Sequence, residues 1–145
     1  MFESADTASW VIAESHTSEH SFQIRFRKLP LGFERLPYPK RLNVFWSMRN
    51  PDEHGMATNG ELENLHTFED RLVAAVEQDE SAMLVAVLTG RGEREFVFYV
   101  QDPQPFIKHL SEMPQEAERY PVEVHFEEDP AWGYFDALLP AETDA

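Results

Sequence analysis

Hydrophobic and polar positions alternate with a period of two in several short stretches of the chain, as in strands with one buried face. Phe22, Ile24 and Phe26 alternate with Gln23, Arg25 and Arg27. Across Arg41 to Arg49, Leu42, Val44, Trp46 and Met48 share one face, and Asn43, Phe45 and Ser47 the other. Phe96, Phe98 and Val100 lie opposite Val97 and Tyr99, and Tyr120, Val122, Val124 and Phe126 alternate with Glu123, His125 and Glu127. Two further stretches lack this alternation. Trp10 to Ala13 is a short strand candidate, joined to the next by a polar loop at His16 to His20. Ser81 to Thr89 is apolar almost throughout, as a strand covered on both faces would be.

Breakers and caps place the helices between these strands. Thr58 and Glu61 have capping-box spacing, which predicts a helix running to about Gln78. Asp102-Pro103 reads as an N-cap followed by proline at the first helical position, with Gln104 as the capped residue. Phe106, Ile107, Leu110 and Met113 form that helix's apolar stripe, and Pro114 ends it. Asp129-Pro130 repeats the signal for a short final helix to Leu139, ended by Pro140, with a tail that should fray.

From residue 41 the predicted order is β-α-β-β-α-β and then a helix, the split βαβ pattern. The expected class is α+β: a ferredoxin-like βαββαβ sandwich with an N-terminal β-hairpin and a short C-terminal helix. Residues 1–145 are read as a single domain, with the hairpin at 10–29, the core at 41–127 and the last helix at 129–139. Residues 30–40 hold three prolines and a glycine and read as a connector. The hairpin must extend the sheet or cover its second face. Covering is favoured, because Phe45, Val97 and Tyr99 would otherwise be exposed.

Charge narrows the partners. The 145 residues carry 12 Lys and Arg against 27 Asp and Glu, a net charge of −15. Such a balance argues against nucleic acid and anionic membranes, which call for a basic face. There is no cysteine, and hence no disulfide, thiolate zinc site or cysteine nucleophile. The start is acidic and polar, unlike a signal peptide, and the longest apolar run, Ala82 to Leu88, is too short to span a membrane. A cytoplasmic protein is expected.

Candidate chemistry is sparse. Residues 1–72 hold 11 acids and 8 bases, whereas residues 73–145 hold 16 acids and 4 bases. Six bases, among them Arg25 and Arg27, fall between positions 25 and 41. They either dock an acidic partner or neutralise the protein's own surface. Glu69 falls on the apolar side of its helix, among Leu62, Leu65, Leu72 and Val76. It is expected to be a buried structural acid bonded to an Arg, Tyr or Trp. The other reading is a general acid or base in a pocket, although no histidine or second acid has the spacing to join it there. His66 and Asp70 make at most half a metal site. No nucleophile elbow or phosphate-binding glycine loop is present. No catalytic residue, metal or cofactor is expected. Trp132, Tyr134 and Phe135 read as a helix stapled onto the core.

Several motifs carry a resemblance. They are Trp10, the L-x-x-x-E-D-x-L run from Leu65 to Leu72, the R-x-F-x-F-Y run from Arg94 to Tyr99, and the D-P-x-W run beginning at Asp129. In this order they resemble a bacterial domain family of unassigned function, catalogued only by number, and are more distantly similar to the regulator of ribonuclease E activity B group. The chain departs from the family at Phe135, where a tyrosine is usual, and at His54-Gly55-Met56-Ala57, where a D-G-x-P turn is usual. The resemblance implies a ferredoxin-like domain and assigns no catalytic residue. Its distant relative is an acidic protein that binds and inhibits an RNA-degrading enzyme, which implies a protein-binding role. The expected function is therefore protein binding or regulation, carried by Arg25 and Arg27 or by Glu123, His125 and Glu127, with a protein partner or a second copy of the chain. The alternative is a small-ligand binder or enzyme using the core-facing Glu69.

Overall fold

The computed structural model describes residues 8–16, 21–78, 80–114 and 119–139. The loop expected at His16 to His20 lies outside these apart from the backbone of His16, as do Pro140 and the tail. Nine elements follow in order: β1 (Trp10–His16), β2 (Ser21–Arg27), β3 (Lys40–Ser47), α1 (Asn59–Val76), β4 (Ala82–Gly90), β5 (Glu93–Val100), α2 (Pro103–Glu112), β6 (Val122–Glu128) and α3 (Gly133–Leu138). The fold is α+β. Among the described residues the strands form one antiparallel sheet in the order β1-β2-β4-β5-β3-β6.

Both faces of this sheet are buried at its centre. On one, Leu65, Phe68, Leu72 and Val76 of α1 and Phe106 of α2 pack on Leu42, Val44, Trp46, Phe96 and Phe98. On the other, Trp132 and Phe135 of the C-terminal segment and Phe33 and Tyr38 of the connector pack on Met83, Val85, Val97 and Tyr99. The Trp132 ring stacks on Tyr99 at 4.1 Å. The hairpin does not cover the second face, contrary to the expectation. It lengthens the sheet instead, because β2 offers β4 an edge in register from Phe22 opposite Gly90 to Phe26 opposite Ala86. Residues 29–38 and α3 do the covering.

A β-bulge decides what β4 shows to each side. Leu84 pairs with Phe98 and Ala86 with Val97, so Val85 is an extra residue. Val85 and Ala86 therefore both face the α3 side, and Val87 returns to the α1 side. The turn into β5 is a two-residue one, with Arg91 at φ 55° and Gly92 at φ 78°, the geometry whose twist suits a hairpin.

Three local expectations need correction. Thr58 precedes α1 without capping it; its hydroxyl donates to the Asn50 carbonyl, and Glu61 turns away to β3. Ile107 is exposed rather than part of the α2 stripe, while Phe106 and Met113 are buried. The final helix starts at Gly133, after Trp132 in the left-handed region at φ 60°. Asp129 still caps it, accepting the Gly133 and Tyr134 amides at 2.9 and 3.1 Å. A bulky residue pays for such a backbone only where contacts hold it. Here the indole Nε1 donates to the Tyr38 carbonyl at 2.9 Å.

Trp132→Ala should therefore cost about 3–5 kcal/mol in denaturant unfolding. A loss below about 1 kcal/mol would mean that α3 is not the cover of this face.

Candidate functional site

At the turn end of the sheet's α1 face, the apolar core gives way to a polar row. Strand registry sets Gln23 opposite Thr89, and Thr89 opposite Arg94, while Arg25 lies opposite Val87. The parity that aims Phe96 and Phe98 at α1 aims Arg94 there too. Above this row, one side of α1 presents His66, Glu69 and Asp70, spaced at i, i+3 and i+4. The two surfaces bound a cleft of about 350 Å³, lined by Gln23, Arg25, His66, Glu69, Asp70, Val87 and Arg94. His66 and Asp70 are exposed at its rim, and Glu69 is half-buried. The expectation that no histidine or second acid shares Glu69's pocket is thus corrected: the wheel placed Glu69 by its apolar neighbours, and strand β2 is what makes the three into one wall.

Glu69 has a cationic partner. Its Oε1 accepts from Arg25 Nη2 at 2.7 Å. Arg94 is different. It is only 7% exposed, and its Nε donates to the Thr89 hydroxyl at 2.9 Å. Among the described residues no carboxylate reaches its guanidinium as an ion pair. Burial presses this arginine below its ordinary value; the charge of Glu69 opposes the effect and that of Arg25 adds to it. Guanidinium stays protonated in proteins, so the cleft holds an under-neutralised positive charge. Arg94 was missed in the sequence, although an arginine two positions before Phe96 in an alternating strand was the available signal.

Other buried charges are ion-paired or hydrogen-bonded by several donors. Arg27, a partner-binding candidate from the sequence, is instead buried and donates to Glu77 at 3.0 Å. Arg25 and Arg27 both point to the α1 side, with the Trp10 ring 4.9 and 5.3 Å from their guanidinium carbons. Glu61 accepts from Trp46 Nε1 at 2.9 Å and from the Arg49 and Asn50 amides. It clips the β3 exit to the start of α1. Burial would raise its pKa, but those amides, the indole and the Arg49 charge outweigh burial and hold it below 4.5. Behind the sheet, Tyr134 and Asn43 both donate to Glu95 at 2.6 Å, and Tyr99 donates to Asp129 at 2.7 Å. Burial and the acceptor carboxylates push both tyrosines up.

Strand β6 carries the acidic candidates. Glu123 and His125 are exposed, and Glu127 meets Arg41 at 3.0 Å. The His125 ring stands edge-on to Phe45 at 5.1 Å. On the opposite side of the strand, Val124 and Phe126 are 37% and 46% exposed. Among the described residues, β6 pairs only with β3. No group of three potential ligands is placed to hold a metal, and no helix is long and apolar enough to cross a membrane, again among the described residues.

Comparison with known proteins adds one match. The model of a family of unknown function (DUF695) covers residues 8–139, and the chain belongs to this family. No curated protein and no solved structure matches it.

Two substitutions separate the structural acid from the uncompensated base. Glu61→Gln should lose about 2–3 kcal/mol at neutral pH, since three N–H donors lose a charged acceptor. A depressed carboxyl stabilises the fold above its unfolded pKa and loses that contribution as pH falls through its folded value. Wild type should therefore weaken below about pH 4.5, and Glu61→Gln should show a shallower decline there. By contrast, Arg94→Met should unfold within about 1 kcal/mol of wild type or above it, because it removes a buried charge that lacks a counter-ion. A loss of about 3 kcal/mol would make Arg94 structural.

Proposed function

For this member of DUF695 we propose a binding function: the cleft between β2 and α1 takes a small polar ligand, and the domain performs no covalent chemistry of its own. The observation that carries this is Arg94, a buried cation with no ion-pair partner among the described residues, on the wall of a polar cleft. Buried charge that the fold leaves uncompensated is most economically explained by a group that arrives from outside. A volume near 350 Å³ suits a small metabolite rather than a polymer. Glu69 is occupied by Arg25, with neither a nucleophile nor a second buried acid beside it in the cleft, which weighs against general acid–base work.

The scaffold reading is that β3–α1–β4–β5–α2–β6 is a ferredoxin-like core, supported by the β4-β5-β3-β6 order, with the hairpin prolonging it past β4. A cytoplasmic, regulatory setting fits the acidic composition and what the distant motif resemblance implies.

A second reading is favoured by β6, an edge strand with exposed Val124 and Phe126. There a protein partner would add a strand, its basic side chains meeting Glu123, Glu127 and Glu128. Pairing of β6 with a second copy about His125 would set Glu123 against Glu127, so a basic partner suits this edge better than a homodimer.

Thermal shift with neutral, cationic and anionic small molecules tests the cleft reading. At least one class should raise the melting temperature of wild type and leave Arg94→Met unmoved. If no class separates the two proteins, the reading fails. A Lys-Val alternating peptide that binds wild type and not Glu123→Lys/Glu127→Lys would then move the function to β6.

A further inference from the structure

Resting on the cleft reading just given, we infer that the ligand is a small oxyanion, a single carboxylate or phosphate group held chiefly by Arg94 with Arg25 and Gln23 beside it. Three observations lead there. Arg94 spends its Nε on Thr89, which fixes the plane of the guanidinium and leaves its terminal N–H groups for a ligand. A planar fork of that kind matches the oxygens of a carboxylate or phosphate. Arg25 lies on the same wall and is partly exposed, with Glu69 as its neutralising partner. Gln23, on the same strand face, adds an amide donor whose side chain also bonds Glu14 at 3.0 Å.

The acids in the cleft set the ligand's charge. Glu69 touches Arg25 and its field reaches Arg94, and Asp70 stands at the rim. Arg25 is neutralised by Glu69, and Asp70 at the rim adds a further negative charge, which disfavours a polyanion. One oxyanion group is admitted where Arg94 is bare, and further anionic groups on the same ligand meet Glu69 and Asp70. The overall charge of −15 repels anions at long range. That repulsion is screened beyond roughly 10 Å at ordinary ionic strength, so the groups within the cleft decide. Glu69 acts here as a competing internal anion, which gives the inference its sharpest consequence: removing it should improve binding.

Isothermal titration with acetate, inorganic phosphate and citrate, beside glucose and putrescine at constant ionic strength, tests this. Acetate or phosphate should bind wild type, and whichever is tighter names the source of the oxyanion. Citrate should bind more weakly than either. Arg94→Met should weaken the binding about tenfold or more, the scale of one lost charged hydrogen-bond pair. Glu69→Gln should tighten it about three- to tenfold by removing an adjacent negative charge. Lys108→Gln, exposed on α2, should leave it unchanged. Should either cleft variant fold poorly, ¹H–¹⁵N spectra of wild type serve instead: phosphate should move the Arg94 and Arg25 Nε–H signals and the Thr89 amide. Arg94-dependent binding of glucose or putrescine would overturn the oxyanion assignment and leave the cleft reading standing. Tighter binding of citrate than of acetate and phosphate, or weaker anion binding in Glu69→Gln, would overturn the single-group account. Silence of every probe would overturn the inference and the cleft reading together.

Discussion

Strands β4 and β5 are buried on both faces, and this one constraint organises the molecule. A sheet whose two central strands are apolar front and back exposes a second hydrophobic surface unless something lies on each side. The helices α1 and α2 cover the first face. The second is closed by two segments distant in sequence, the proline-rich connector and the C-terminal turn with α3. Their meeting point is Trp132, stacked on Tyr99 and hydrogen-bonded to Tyr38 of the connector. The left-handed backbone at Trp132 is the cost of aiming its indole into that junction.

Buried carboxylates tie these layers together. Glu61 joins the β3 exit to α1, Glu77 joins the end of α1 to β2 and β4, and Glu95 and Asp129 join the sheet to α3. Each accepts from donors on an element other than its own. A carboxylate offers several lone pairs and, once desolvated, needs them filled, so each such residue specifies one arrangement of its neighbours. The same demand applies to cations, and buried Arg27 and half-buried Arg41 meet it with Glu77, Glu127 and Asp129. Arg94 stands apart from them by having a hydroxyl where the others have an acid.

The bulge at Val85 connects the core to the cleft. Without the extra residue, β4 would keep strict alternation, and Thr89 would face α3 along with Met83 and Val85. With it, Thr89 faces α1, where it orients Arg94. A single inserted residue thus sets both the packing of the second face and the polar row at the end of the first.

The chain by itself determined its elements and most of their faces. Alternation at β2, β3 and β5, the Asp102-Pro103 cap and the stapling role of Trp132 and Phe135 all depend on neighbours within a few residues, where geometry has a fixed period. The partnered nature of Glu69 was legible for the same reason: an acid on an apolar helical face must find a donor. What only the tertiary structure decided was pairing between distant segments. Local pattern could not say that the hairpin extends the sheet, since a strand edge and a sheet face bury similar apolar residues. Nor could the uninterrupted apolar run of β4 reveal its bulge, because a strand buried on both sides has no alternation to break. The cleft depended on both of these, and Arg94, Arg25 and Glu69 became neighbours only when strands β5, β2 and helix α1 were assembled around it.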